Sequence, residues 1–139
     1  MKELTKDMIQ IYNLQIFKYD FMGYTFSKPS ELSFHHLIIP KKDSRKEGIG
    51  DGYVWWNGAI LVRNTAHDYL HRIEQIDRDT FLRITDQMVL ENVNKKIDKD
   101  TLLRIREYLV NFEDKHYDDT DKYGKRLIKK EFITNRIHL

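Results

Sequence analysis

Residues 59–71 read Ala59-Ile60-Leu61-Val62-Arg63-Asn64-Thr65-Ala66-His67-Asp68-Tyr69-Leu70-His71. The pattern changes period in the middle of this stretch. Ala59 to Val62 is a short apolar run suited to a strand. Asn64 or Thr65 can cap a helix, and from about Ala66 to Gln75 the pattern turns helical, with Tyr69, Leu70 and Ile73 available to a core. His67 and His71 are four apart on that helix. Both imidazoles therefore share one face, about one turn from each other. That spacing suits two nitrogen ligands to one metal ion.

Upstream lies a second histidine pair, in Phe34-His35-His36-Leu37-Ile38-Ile39-Pro40. Leu32 to Ile39 is apolar enough for a short strand, stopped by Pro40. Lys41 to Gly52 is polar and glycine-bearing, hence a loop. Tyr53-Val54-Trp55-Trp56 reads as extended, followed by Asn57-Gly58, a strong turn signal that can also break a strand. The order is then a strand with His-His, a loop, a strand with Asn, and a helix with two His. Such a unit can clasp a metal ion between the first strand and the helix, with His35 approaching from the strand and His67 and His71 from the helix. Three neutral imidazoles that leave positions open make a catalytic rather than a closed structural site. The open positions accept water or phosphate oxygens.

His36 is then free to act as a base. An imidazole titrates close enough to neutrality to take a proton from water, provided an acceptor on its other nitrogen sets the tautomer. Asn57, through its amide, is the candidate for holding that geometry, with Asn64 as a second candidate. With the metal polarising a phosphate and His36 activating water, the product is a cut phosphodiester. Adjacent residues on a regular strand point to opposite faces. His35 and His36 can thus serve one site only at a strand end or an irregularity.

This pattern resembles the HNH endonucleases, which have the ββα-metal fold. The resemblance implies His35 as a metal ligand, His36 as general base, Asn57 as the residue that orients the base, and His67 as a ligand. His71 matches the extra ligand of the colicin-type members, whose helix also carries His-x-x-x-His. The motif core covers roughly residues 31–71. The segments Leu32 to Leu37, Trp56 to Leu61 and His67 to Glu74 are similar to small HNH-type proteins of Firmicutes genomes and their mobile elements. Many HNH proteins also carry Cys-x-x-Cys pairs around a structural zinc. This chain has Asp20-Phe21-Met22-Gly23 where the first pair is expected, and no cysteine anywhere. Its scaffold must hold by packing, with Phe21, Tyr24, Phe26 and the two tryptophans as the candidates.

The rest of the chain is consistent with one α+β domain over residues 1–139, a ββα-metal core at about 31–76 and additional C-terminal helices at about 77–137. A length of 139 residues and a hydrophobic fraction of 40% suffice for a real core. Asp77 or Asp79 can cap a helix with Phe81, Ile84, Met88 and Val89 as its stripe. Asp98 can start another with Leu102, Ile105, Leu109 and Phe112 buried. Residues 114–122 read as a charged loop, and 125–137 as a last basic helix with Leu127, Ile128, Phe132 and Ile133 inward.

A net charge of +2 is too small to argue nucleic-acid binding by itself. Local clusters carry that expectation: Lys41, Lys42, Arg45 and Lys46 after the His-His strand, and Arg63 and Arg72 flanking the helix, as phosphate contacts. Without cysteines, a signal-peptide core or an apolar membrane-length run, the chain reads as soluble and cytoplasmic. The expected activity is metal-dependent hydrolysis of DNA. The metal is a divalent ion (magnesium, zinc, manganese or nickel), and the set His35, His36, Asn57, His67 and His71 carries the chemistry. The alternative is a non-catalytic, metal-stabilised module that binds nucleic acid or protein through its helical half.

Overall fold

The computed structural model describes residues 2–139 and is α+β, mostly helical with one two-stranded sheet. The elements in order are α1 (Lys2–Ile11), α2 (Leu14–Phe17), β1 (Leu32–His36), α3 (Lys41–Ser44), β2 (Gly58–Val62), α4 (Ala66–Ile76), α5 (Arg78–Asn94), α6 (Lys99–His116) and α7 (Lys130–Thr134). Short 3-10 turns at Pro29–Glu31 and Trp55–Asn57 precede the two strands. None of the helices among the described residues is long and apolar enough to cross a membrane.

β1 and β2 pair antiparallel, from Leu32 opposite Val62 to His36 opposite Gly58. Asn57-Gly58 is not a hairpin turn. The strands are joined by all of residues 37–57, and β2 begins at Gly58. Nor is 53–56 a strand: Trp55 to Asn57 coil into a 3-10 turn closed by the Asn57 amide on the Val54 carbonyl. β1 stops at His36, short of Ile39. The Leu37 amide turns to the Asn57 carbonyl and those of Ile38 and Ile39 to the Asn57 side chain, so no further ladder can form.

Every side chain of β2 is buried, because α4 packs against the sheet and the N-terminal segment covers it. The second cover is fastened by Asp20. Its carboxylate accepts from the amides of Met22, Tyr24 and Val62 at 2.8–2.9 Å, binding the 20–24 turn to the end of β2. Burial pushes that carboxyl up to about 7, against the pull of the amides. Phe21, Tyr24 and Phe26 are buried here, while Trp55 and Trp56 are half-buried.

The helices follow their caps. Asp77 accepts from the Thr80 amide at the start of α5, and Asp98 from that of Thr101 at the start of α6. Phe81, Ile84 and Met88 of α5 and Leu102, Ile105, Leu109 and Phe112 of α6 face the core, with Val89 half-buried. α6 runs on to His116, into the stretch expected as loop. The last segment departs most. Only 130–134 is helical, because the Asn135 carbonyl and Ile137 amide bond to Thr25 and Gly23, and tertiary pairing overrides helical propensity.

Ile128 and Phe132 are buried as expected, while Leu127 and Ile133 are half-buried. Phe132 stacks on Tyr69 of α4 with ring centroids 4.5 Å apart. Tyr69 donates to Glu113 at 2.7 Å, and Glu113 holds Arg136 through two bonds of 2.8 and 3.0 Å. This buried network fixes the rotation of α4 about its axis, and hence the direction in which His67 and His71 point. Glu91 of α5 is also fully buried, yet neither carboxyl oxygen has a hydrogen-bond partner, and burial holds its carboxyl well above the usual range.

Gly58 is the tightest point of the sheet. A Cβ there would lie 2.0 Å from the Phe34 ring, which is itself wedged against His36 and Tyr53. Gly58→Ala is expected to lower unfolding stability by about 1–3 kcal/mol through overpacking, measured as a urea midpoint shift. An unchanged midpoint would mean that the ring moves freely.

Candidate metal centre

Along β1 the side chains alternate, and two faces of the strand do different work. Ser33 and His35 face α4. Phe34 and His36 face the 37–57 loop. The alternation that set His35 against His36 is resolved because both lie at the end of β1, where a cavity of about 580 Å³ wraps around the strand's edge. His35, His36, His67 and His71 all line it.

On the α4 side, His35, His67 and His71 each offer a ring nitrogen within 4.8 Å of the others, the only such three-ligand group among the described residues. His67 and His71 stack at 4.9 Å, as residues one turn apart should, and His35 meets both rings edge-on at 5.2 and 5.1 Å. His35 Nδ1 stands 3.3 Å from His67 Nε2. Two ligands of a tetrahedral ion with bonds of roughly 2.0–2.1 Å are separated by about 3.3–3.4 Å, so the pair is spaced for a shared cation.

The protons follow from the neighbours. The Ser33 hydroxyl donates to the Leu61 carbonyl at 3.2 Å, so it accepts from His67 Nδ1–H at 2.7 Å. His67 Nε2 therefore presents its lone pair to the centre. Burial, then the adjoining imidazoles, lowers His35 to about 3; burial, then His71, lowers His67 to about 4. Both rings are neutral at pH 7, as metal ligation requires. The donor set thus fits a divalent cation, with room on the cavity side for other ligands.

On the opposite face, His36 Nε2 lies 2.8 Å from the Asp51 carbonyl. A carbonyl only accepts, so Nε2 carries the hydrogen and Nδ1 is left with a lone pair. Asn57 acts one step further out. Its fully buried amide accepts from Ile38 and Ile39 and donates to the carbonyls of Ile39 and Gly52, pinning the loop beside Asp51. Gly52 completes the fit. Its φ is +82°, and a Cβ there would stand 2.3 Å from Ser44 Oγ and 2.8 Å from His36 Cδ2. Asn64, the second candidate, is an exposed residue near the opposite end of the sheet, where it lines a separate hollow with Arg63.

The cationic residues expected at phosphates are dispersed. Lys41 lines the cavity, with its ammonium 5.7 Å from the Tyr53 ring centre. Lys42 is exposed on α3 outside the cavity lining. Arg45 and Lys46 pair with Asp51 and Asp43 at 3.1 and 3.7 Å. Arg63 donates to the Leu32 carbonyl and Arg72 to that of Leu127, so both secure the chain elsewhere.

Sequence reasoning missed Ser33, Tyr53, Arg78 and the Asp51 carbonyl. The signal for Ser33 was present, since a residue two before His35 shares its strand face. Arg78 lies one helix beyond the motif, and nothing in its local sequence marks it.

The lowered histidines predict an acid sensitivity. Between about pH 6.5 and 4 the unfolded chain takes protons that folded His35 and His67 refuse, so stability is full above that window and falls as pH drops through it. In chelator-treated protein, His35→Phe is expected to remove about 2 kcal/mol of the stability difference between pH 7 and 4.5, read from urea unfolding. An unchanged difference would mean that His35 is not held neutral by its surroundings. Compared with family models, curated proteins and solved structures, the chain matches none.

Proposed function

We propose that this chain is a metal-dependent endonuclease of the HNH type that hydrolyses phosphodiester bonds in DNA, with β1, β2 and α4 as its ββα-metal unit. The observation that carries the reading is the division of labour between neighbouring histidines. His35 turns to His67 and His71, while His36 turns to a backbone carbonyl and keeps Nδ1 free, and all four line one cavity.

A divalent cation held by the three imidazoles would supply positive charge to the scissile phosphate and the leaving oxygen. The chain's own part is the proton. His36 Nδ1 takes it from an attacking water, and the Asp51 carbonyl, already accepting from Nε2–H, stabilises the imidazolium that results. Asn57 is a positioning residue in this scheme, acting on His36 only through the loop it pins. Lys41, at the cavity wall, is suited to a backbone phosphate, a contact that holds a strand without reading its sequence.

The test is plasmid DNA with magnesium, manganese, zinc or nickel in turn. The parent should nick or cut, and His36→Ala should lose about 10²–10⁴-fold in rate while still binding metal. Equal cutting by the variant would remove His36 as the base. Metal binding without cleavage under any of these ions would instead favour the non-catalytic module.

A further inference from the structure

The three imidazoles differ in what holds their rings still. His35 is buried and wedged against Phe81, with ring centroids 6.4 Å apart. His67 is tied through Ser33 to the backbone of β2. His71 has neither device. Its side chain is half-exposed and touches the other two imidazoles, with neither deep burial nor a hydroxyl to set its rotation.

What stands beside it is Glu74, one turn further along α4. Its Oε1 lies 3.6 Å from His71 Nδ1, and its Oε2 lies 3.5 Å from the Arg78 guanidinium. Arg78 is in turn laid over the Phe81 ring, its guanidinium carbon 5.8 Å from the centroid. Glu74, Arg78 and Phe81 all line the cavity wall. The carboxylate thus stands between an exposed guanidinium on one side and His71 Nδ1 on the other, its second oxygen just beyond hydrogen-bond length and brought within it by a small side-chain rotation.

We infer that Glu74, braced by Arg78, is the positioning residue for His71, fixing its Nδ1–H outward so that Nε2 faces the metal. The inference rests on the metal-site reading of the three histidines. Metal-bound imidazoles are commonly oriented by an acceptor on the second nitrogen, and loss of such a partner costs about 10–100-fold in metal affinity. The centre then uses three devices for three ligands: packing for His35, a hydroxyl for His67 and a carboxylate for His71.

The experiment measures Co²⁺ and Zn²⁺ affinity of the intact, chelator-stripped protein by competition with a chromophoric chelator, together with the Co²⁺ absorption spectrum. Circular dichroism confirms that each variant is folded. Glu74→Ala should weaken binding about 10–100-fold and give the Co²⁺ spectrum of His71→Ala. Glu74→Gln, whose amide oxygen can still accept from Nδ1–H, should recover most of the loss. Removal of a distant negative charge would instead affect Gln and Ala alike. In a His71→Ala background, Glu74→Ala should have no further effect, because its only route to the metal is gone.

Wild-type affinity in Glu74→Ala, equal losses in Gln and Ala, or an additive loss in the double variant would each overturn the inference while leaving the three-histidine centre intact. Failure of the wild-type protein to bind either ion would overturn both.

Discussion

The side chain of Asn57 is the constraint on which the candidate site depends. One buried amide satisfies two backbone N–H groups and two carbonyls from both ends of the loop that separates β1 from β2. Without it the Ile38 and Ile39 amides and the Ile39 carbonyl would lose these partners, and the two ends of the loop their shared tie. The loop's path follows from that requirement, and the path puts the Asp51 carbonyl against His36. An asparagine is well suited to the task, since its amide offers two donor hydrogens and a carbonyl acceptor on a short, uncharged stem.

The strand-loop-strand-helix order and the two histidine pairs were legible because they rest on local rules: an apolar run from Leu32 stopped by Pro40, period 3.6 for His67 and His71, and carboxylate caps at Asp77 and Asp98. The path of residues 37–57 was not. Asn57-Gly58 carries a turn's composition, but the chain uses Gly58 to admit the Phe34 ring and Asn57 to tie a distant loop. The C-terminal segment misled for a related reason, since Asn135 and Ile137 are claimed by the backbone around Gly23 and Thr25, far away in sequence. Charge clusters were the weakest guide. Arg45 and Lys46 are neighbours of Lys41 in the chain, yet pair with local carboxylates.

The site is also held from outside its own motif. Asn92 of α5 donates to the Gly58 carbonyl at 2.8 Å while its oxygen takes the Tyr12 hydroxyl, linking the start of β2 to α5 and to the turn that follows α1. Asp20 secures the other end of β2, and the Tyr69–Glu113–Arg136 network sets the roll of α4. Each polar fastener is buried and satisfied, the condition under which such groups specify one arrangement rather than several. The helical half is therefore the frame that keeps two short strands and one helix in register.

Glu91 stands outside this rule, buried with both carboxyl oxygens unpartnered. An acid in that position is kept as the neutral species, because an isolated carboxylate would have neither water nor a cation to replace its hydration. The unfolded chain, open to water, ionises the same group in the ordinary carboxylate range. Opening the fold above that range therefore releases a hydrogen ion from Glu91 into the solvent, and its contribution, full below the range, is lost as the pH rises through and beyond it. Besides the histidine centre, whose protonation opposes folding from the acid side, the same molecule carries an acid whose ionisation opposes it from the other.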